Sequence, residues 1–335
     1  IGADEYRMAV IYRSVGPSKT TPLQCGGTGR ELSLDNGTLN LDAGQGLADN
    51  IGVGDAIVYN ASSSIAFIDG RVSSTTYSVQ TATGTSPADF ASSTAWCVYR
   101  AYTSLYAAER GDENNGLPDA VEDFDNWDGT GNYTDTDEVG RDLVANSEQW
   151  NIACYADAND STAVTIQDWT TGDNNYLRIY TPVTSSESGA SQRHSGKWDE
   201  NFYSISTPST NISIKILSAH VYVSGLQVSS NNLSSYAAIE LQGSVDSKTY
   251  ISDMIIKDSY YGITTYLSDS TAELYAWNNL LYNNYIGVRH RDCYGYYYNN
   301  SVINSINYGI LRSTGNLIAK NNISYDNYDN YSTSF

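Results

Sequence analysis

The chain has little positive charge and no long apolar run. Its 335 residues include 18 Lys and Arg against 38 Asp and Glu, a formal net charge of −20. This excess of negative charge argues against phosphate backbones and anionic membrane surfaces as partners, so we expect no nucleic acid ligand. No apolar run approaches the roughly 20 residues of a membrane span, so we expect no membrane insertion either.

Cysteine is scarce, and its spacing excludes two common kinds of site. Cys25, Cys97, Cys154 and Cys293 lie too far apart in sequence for a zinc finger or a CxxC redox motif. Three pairings are open if all four are bridged. Cys154 lies in an alternating strand pattern and could equally be a buried thiol.

The abundant residues are those of an extracellular β protein. The chain has 29 Tyr and 27 Gly, many Ser, Thr and Asn, and only two Met and three His. We therefore predict an extracellular or cell-surface location.

The most informative stretch runs from residue 221 to 335 and repeats itself. Short apolar runs bracketed by Asp or Asn begin at Asp253, Asn279, Asn300 and Asn322, which are 26, 21 and 22 residues apart. Gly-Ile or Gly-Val follows three of these starts. A period in this range indicates a solenoid of stacked repeats.

The runs predict short strands between tight turns. They are rich in Ile, Val, Leu and Tyr, and they are separated by Asn, Asp, Ser and Gly. Stacked at the spacing of paired strands, such repeats make a parallel β-helix. Equivalent side chains then form a ladder, predicted for Asp253, Asn279, Asn300 and Asn322. The alternative is an Asn-rich tail of low complexity.

These repeats, together with residues 150–157 (WNIACYAD) and 191–196 (SQRHSG), resemble a known class. The pattern is similar to secreted right-handed parallel β-helix repeat proteins of the pectin-lyase-like superfamily, over roughly residues 98 to 335. The resemblance implies an all-β fold, a right-handed parallel β-helix of about 21–26 residues per turn with a short capping helix. It implies little about activity, because the superfamily holds lyases, glycosidases, tailspikes and adhesins.

Three regions are predicted. Residues 1–98 alternate like a small β-sandwich or barrel-like module, with strands near residues 9–12, 31–34, 56–59, 65–68 and 77–79. Residues 99–149 hold a capping helix around Leu105 and an acidic loop, and residues 150–335 form the β-helix. The alternative is that the first strands are the first turns of the coil.

The acidic loop contains a weak calcium motif. Residues 111–122 can be laid on a twelve-residue EF-hand loop, which places Glu113, Asn115, Asp119 and Glu122 at ligand positions. Gly111 stands where the first ligand, an Asp, is expected. The simpler interpretation, which we favour, is a solvated acidic loop; Ca²⁺ bound by these four residues is the alternative, and no other cofactor is predicted.

Two further groups are candidates for contact with a ligand or a neighbouring subunit. The first is Arg289, His290, Arg291 and Asp292, and the second is Arg193, His194 and Trp198. Charged and aromatic side chains of these kinds could meet a polysaccharide. Alternatively, the first is an exposed strand that pairs its own charges, and the second is a loop clamp.

No catalytic set is predicted, because the acids of residues 221–335 do not recur at one phase of the repeat. We predict the first of the following three functions and keep the other two as alternatives. The first is a structural subunit that assembles head to tail into a surface filament, sheath or fibre, because nothing covers the final turn near Phe335. The second is a polysaccharide-binding or polysaccharide-degrading protein. The third is a passive repeat segment of a large adhesin.

Overall fold

The structure is a computed structural model that describes residues 8–42, 46–125, 141–208, 210–243, 248–267 and 271–333. It is 49% strand and 4% helix, which confirms the all-β prediction. The chain divides into two compact units, unit 1 with residues 1–158 and 181–192, and unit 2 with residues 159–180 and 193–335. The boundaries predicted after residues 98 and 149 stay a prediction.

Unit 1 contains an antiparallel sheet with the order β2-β9-β5-β6-β7-β4-β3-β8. Asn36 and Gly37 join β3 to β4, both with positive φ, as a two-residue hairpin turn requires. One face carries a buried core that includes Leu34, Ile57 and Tyr77. The strands are β2 Gln24–Cys25, β3 Leu32–Asp35, β4 Thr38–Leu41, β5 Ala56–Tyr59, β6 Ser64–Arg71, β7 Thr76–Gln80, β8 Phe90–Ser93 and β9 Cys97–Tyr99.

The first described strand does not belong to this antiparallel sheet. β1 (Ala9–Val15) pairs in parallel with β10 (Glu148–Cys154), whereas residues 9–12 were predicted to be part of the module. Alternation of apolar residues predicts a strand but does not show whether it pairs in parallel or antiparallel. The sequence therefore could not distinguish a strand of the module from a strand of the coil.

The helices of unit 1 are short. The predicted helix is present as α1 (Leu105–Arg110), where the Ser104 side chain accepts the Ala107 N–H and Gly111 ends the helix at φ 72°. A 3₁₀ turn (Asp119–Val121) and α2 (Leu143–Asn146) follow. No helix in the described ranges is long and apolar enough to span a membrane.

One disulfide lies in unit 1. Cys25 on β2 and Cys97 on β9 are cross-strand neighbours and are bridged. Cys154 and Cys293 are buried thiols that form no disulfide. Of the pairings left open by the sequence, therefore, only one bridge forms.

Unit 2 is a parallel β-solenoid. The solenoid of this chain has about seven turns, and each turn is called a coil. One sheet stacks β12 Leu177–Tyr180, β15 Val221–Ser224, β17 Lys248–Ser252, β19 Glu273–Trp277, β22 Tyr294–Tyr298 and β25 Asn316–Lys320, each parallel to the next. The other strands are β11 Val164–Ile166, β13 Ser204–Ser206, β14 Ile214–Ile216, β16 Gln227–Gly243, β18 Ile255–Leu267, β20 Leu280–Tyr282, β21 Ile286–His290, β23 Ser301–Ile303, β24 Tyr308–Arg312, β26 Ile323–Tyr325 and β27 Asp329–Thr333.

Asn and Asp make the corners of the coils. At one corner the residues with positive φ are Asp253, Asn278, Asn299 and Asn321, and at the next they are Asn231, Asp258, Asn283, Asn304 and Asp326. Their φ angles lie between 49° and 56°. Apart from glycine, Asn and Asp adopt this left-handed conformation most readily, which explains why the repeats begin and end with them.

The ladder lies one residue after the first corner. Asn279 donates its side-chain amide to Asn300 Oδ1 at 2.9 Å, and Asn300 donates to Asn322 Oδ1 at 3.0 Å. Asp253 is not in this column, because the register pairs Ser252 with Trp277 and so aligns Asp253 with Asn278. The predicted alignment is therefore one position off at Asp253, where the coil is longer than its successors.

Candidate functional site

A cleft of about 460 Å³ lies on unit 2, where three successive coils meet the segment 193–203. Ser204 and Ser206 come from β13, Asn231 from β16 and Lys257 from β18. Because these strands are stacked in parallel, residues up to 53 positions apart in sequence become neighbours. We call this site the Trp198 cleft, defined by Asn159, Trp198, Glu200, Ser204, Ser206, Asn231 and Lys257.

A buried glutamine anchors the segment that carries Trp198. Gln227 is fully buried on β16. Its Oε1 accepts the Asp199 N–H at 2.7 Å, and its Nε2 donates to the carbonyls of Asp199 at 2.8 Å and Phe202 at 3.2 Å. These bonds fix Asp199, so Trp198 and Glu200 on either side of it are held at the cleft.

The polar side chains of the cleft are oriented by one another. Ser204 Oγ donates to Asn159 Oδ1 at 3.0 Å. Asn231 donates to Ser206 Oγ at 2.8 Å and to the Thr207 carbonyl at 3.0 Å. Such bonds hold donors and acceptors in place before a ligand arrives, which reduces the entropy lost on binding.

Charges of both signs line the cleft. Lys257 Nζ lies 4.5 Å from the centre of the Trp198 ring and 3.0 Å from Asp258 Oδ2. Glu200 is exposed. The cleft therefore combines one aromatic plane with a cation, a carboxylate, amides and hydroxyls, and Glu200 is its one acidic lining residue.

Of the three residues predicted near this segment, only Trp198 lines the cleft. Arg193 forms an ion pair with Asp253 at 3.4 Å, which matches the loop-clamp alternative. His194 Nδ1 accepts the Gly196 N–H at 3.3 Å. Burial lowers the pKa of His194, so the imidazole is neutral near pH 7.

The group from Arg289 to Asp292 is divided between the inside and the outside of the coil. His290 is fully buried beside the Tyr297 hydroxyl, and burial lowers its pKa to about 4. Arg289 donates to the Tyr266 hydroxyl. Arg291 pairs with Asp292 at 2.7 Å. Within the group, therefore, Arg291 and Asp292 pair their charges, whereas Arg289 and His290 contact tyrosine hydroxyls.

The predicted calcium loop is held together by other contacts. Glu113 Oε1 accepts the backbone N–H groups of Phe124 at 3.1 Å and Asp125 at 2.8 Å. Asn115 and Asp119 are exposed, and Glu122 is partly exposed. The described residues contain no group of three or more His, Cys, Asp or Glu that could hold a metal ion. Calcium at Glu113, Asn115, Asp119 and Glu122 stays a prediction.

The last described coil exposes apolar side chains. β25, β26 and β27 each pair with the preceding coil, and no other described strand pairs with them. Exposed large side chains on or beside these strands are Ile318, Ile323, Tyr325, Tyr328 and Tyr331.

Six of the seven cleft residues were not singled out by the sequence. Asn159, Glu200, Ser204, Ser206, Asn231 and Lys257 come from four separate stretches, and none forms a motif alone. The one available signal was the repeat itself. Extending the corner positions back by one coil aligns Asn231 with Asp258 and so brings it beside Lys257.

Neither a family model, nor a curated protein, nor a solved structure matches this chain. No similarity to a known protein therefore supports the parallel solenoid, which is shown by the structure itself.

Proposed function

We propose that the protein binds a saccharide in the Trp198 cleft. The observation that carries this proposal is the placement of one indole beside amide, hydroxyl and charged groups on three stacked coils. Sugar rings have C–H faces that pack on aromatic rings, and their hydroxyl groups both donate and accept hydrogen bonds. A cleft of about 460 Å³ is of the size that small-molecule sites have.

A neutral saccharide fits the charges better than an acidic one. Lys257 is already paired with Asp258, and Glu200 adds a negative charge to the cleft. The net charge of −20 also repels a polyanion at long range. We therefore infer that a neutral glycan is the preferred ligand.

Binding is favoured over hydrolysis. Glycoside hydrolysis generally needs two carboxyl groups on opposite sides of the scissile bond. The residues that line the cleft include one carboxylate, Glu200. The cleft therefore supports recognition of a glycan without cleavage.

A glycan array of neutral and acidic oligosaccharides tests the proposal. We expect wild-type protein to retain neutral oligosaccharides and Trp198→Ala protein to lose them. Binding that survives the substitution, or that is confined to acidic glycans, would contradict the proposal.

A second candidate function, favoured by the exposed last coil, is self-association into a filament. A strand edge paired on one side can add a strand from another copy. A head-to-tail partner for this edge is β1, but β1 already uses part of its own outer edge, because Ser14 donates to the Gly54 carbonyl and accepts from Tyr102 N–H. The Tyr12 carbonyl also accepts from Arg13 Nη1 at 2.9 Å, which further limits that edge as a partner for a second copy.

Light scattering over a range of concentrations tests self-association. We expect particle mass to rise with concentration, and Ile323→Lys to reduce it. Val72→Lys, at another exposed apolar residue, in unit 1, is the control. A monomer at every concentration would favour the third hypothesis, a passive repeat segment of an adhesin.

We infer an extracellular or cell-surface location. The Cys25–Cys97 disulfide supports this, because such bridges persist in oxidising compartments. Membership of the pectin-lyase-like superfamily is likewise a proposal, supported by the parallel solenoid.

A further inference from the structure

Unit 1 contains a cavity of about 750 Å³ that the functions above do not use. β1 forms one wall, and the turn of residues 81–85 forms another. Gly84 is needed in that turn, because its φ is 76° and a side chain there would crowd Ala9 and Ile11. The lining residues are Met8, Ala9, Val10, Tyr12, Asp69, Ser78, Val79, Gln80, Thr83, Gly84, Thr85, Ser86, Asn146 and Ser147, and the site is called the Gln80 cavity.

Two polar atoms of this lining are buried without a hydrogen-bond partner in the described part of the chain. Gln80 is 4% exposed, and its Nε2 has no acceptor. Asp69 Oδ1 has no donor. Buried polar groups are nearly always bonded, so two orphans in one cavity point to a ligand that supplies an acceptor and a donor.

The backbone of β1 adds two further polar groups. Ala9 N–H donates to the Ser147 carbonyl beside β10, so the N–H and C=O of Val10 face away from β10. Val10 lines the cavity. Ser14, four residues on and facing the same way, uses both of its groups in unit 1.

Among the described residues, the lining of the cavity carries one charge and no countercharge. Asp69 is the only charged residue among those that line it. Burial raises the pKa of Asp69, and a hydrogen bond from Ser78 acts against that shift. Asp69 is only partly buried, but its Oδ1 is buried, and a buried carboxylate oxygen is normally paired with a cation or a hydrogen-bond donor.

We propose that the Gln80 cavity binds a small ligand that carries a protonated amine beside a hydroxyl or carbonyl oxygen. The ammonium group donates to Asp69 Oδ1, and Gln80 Nε2 donates to the ligand oxygen. Amino sugars carry both groups on adjacent carbons. This proposal is independent of saccharide binding in the Trp198 cleft.

Isothermal titration of the whole chain with D-glucosamine and D-glucose tests the proposal. The two probes differ at one substituent, and at about pH 6 the amine is protonated. We expect glucosamine to bind at least about tenfold more tightly than glucose, as one charge-assisted hydrogen bond provides. We expect Asp69→Asn to remove this preference and Gln80→Met to lower the affinity for both probes.

Trp198→Ala separates the two sites, because it leaves the preference for glucosamine unchanged if the Gln80 cavity is responsible. Equal affinity for the two probes, no binding of glucosamine, or a preference that survives Asp69→Asn overturns the proposal. If Asp69→Asn protein does not fold, the side-chain NH₂ resonance of Gln80 in wild-type protein decides. A shift with glucosamine and none with glucose supports the site, and no shift overturns it.

Discussion

The ammonium group of Lys257 lies 4.5 Å from the centre of the Trp198 ring. Lys257 belongs to a regular strand of the solenoid, whereas Trp198 belongs to the segment that leaves it. A cation–π contact of this kind contributes about 0.5–1 kcal/mol when exposed. Together with the hydrogen bonds between Gln227 and Asp199, this contact holds the indole against the strands of the solenoid.

The Asn ladder should contribute strongly to the stability of unit 2. Asn300 accepts from the backbone N–H of Asn279 at 3.0 Å and donates to the Ala276 carbonyl at 2.9 Å and to Asn322 Oδ1. We expect Asn300→Ala to lower the free energy of unfolding by about 2–4 kcal/mol, because buried partners lose their bonds. Urea unfolding measures this. Asn316→Ala, at an exposed residue, should change it by less than about 0.5 kcal/mol.

The corner residues should tolerate glycine and reject branched side chains. Asn299 is exposed and has φ 55°, so the backbone decides the outcome. We expect Asn299→Val to cost about 1–2 kcal/mol and Asn299→Gly to stay within about 0.5 kcal/mol of wild type. Thermal unfolding followed by circular dichroism compares the two. Equal destabilisation by both would argue against a backbone cause.

Reduction of the disulfide should destabilise unit 1. Cys25 and Cys97 are 72 residues apart. A disulfide that closes a loop of that length lowers the entropy of the unfolded chain and so stabilises the folded state by about 4 kcal/mol. We expect a reducing agent to lower the urea midpoint of wild-type protein. The double substitution of both cysteines by Ala should unfold at that lower midpoint with or without reductant. An unchanged wild-type midpoint would contradict the role assigned to the bridge.

Glu113 should make stability depend on pH. Burial raises its pKa from 4.5 to about 7, so the folded state binds this proton more tightly than the unfolded state does. The stability it contributes is therefore full below pH 4.5 and is lost as pH rises through 7. Glu113→Gln keeps the acceptor oxygen for Phe124 and Asp125 and carries no charge.

We expect Glu113→Gln protein to be more stable than wild type at about pH 8, by about 1 kcal/mol after allowance for solvent screening, and equal to it near pH 4.5. Urea midpoints across this range measure the difference, with Glu122→Gln in the same loop as the control. If the urea midpoints of wild type and Glu113→Gln change in parallel with pH, the raised pKa of Glu113 is refuted.

Much of the solenoid was predictable because its corners have a chemical signature. Residues such as Asn278 and Asn299 adopt positive φ, and their spacing reports the length of each coil. The ladder of Asn279, Asn300 and Asn322 followed from the same spacing. Asp253 was misplaced by one position because Asp and Asn serve equally at the corner, while the ladder position in that coil is Met254.

The pairing of β1 and the composition of the Trp198 cleft could not be predicted from the sequence, because the residues involved are far apart along the chain. β1 pairs with β10 more than 130 residues away, and nothing in the alternation of residues 9–12 names that partner. The Trp198 cleft likewise unites Asn159 with Lys257. Only the stacking of coils brings such residues together, and the sequence showed that stacking clearly only beyond residue 221.

Titration of Trp198→Ala and Trp277→Ala with a neutral oligosaccharide retained by the wild type tests the central claim most directly. Trp277 is a half-buried tryptophan on β19, outside the cleft, and serves as the matched control. Loss of a stacking aromatic should weaken binding at least about tenfold for Trp198→Ala and leave Trp277→Ala at the wild-type affinity. Equal affinities for wild type and Trp198→Ala would contradict saccharide binding in the Trp198 cleft.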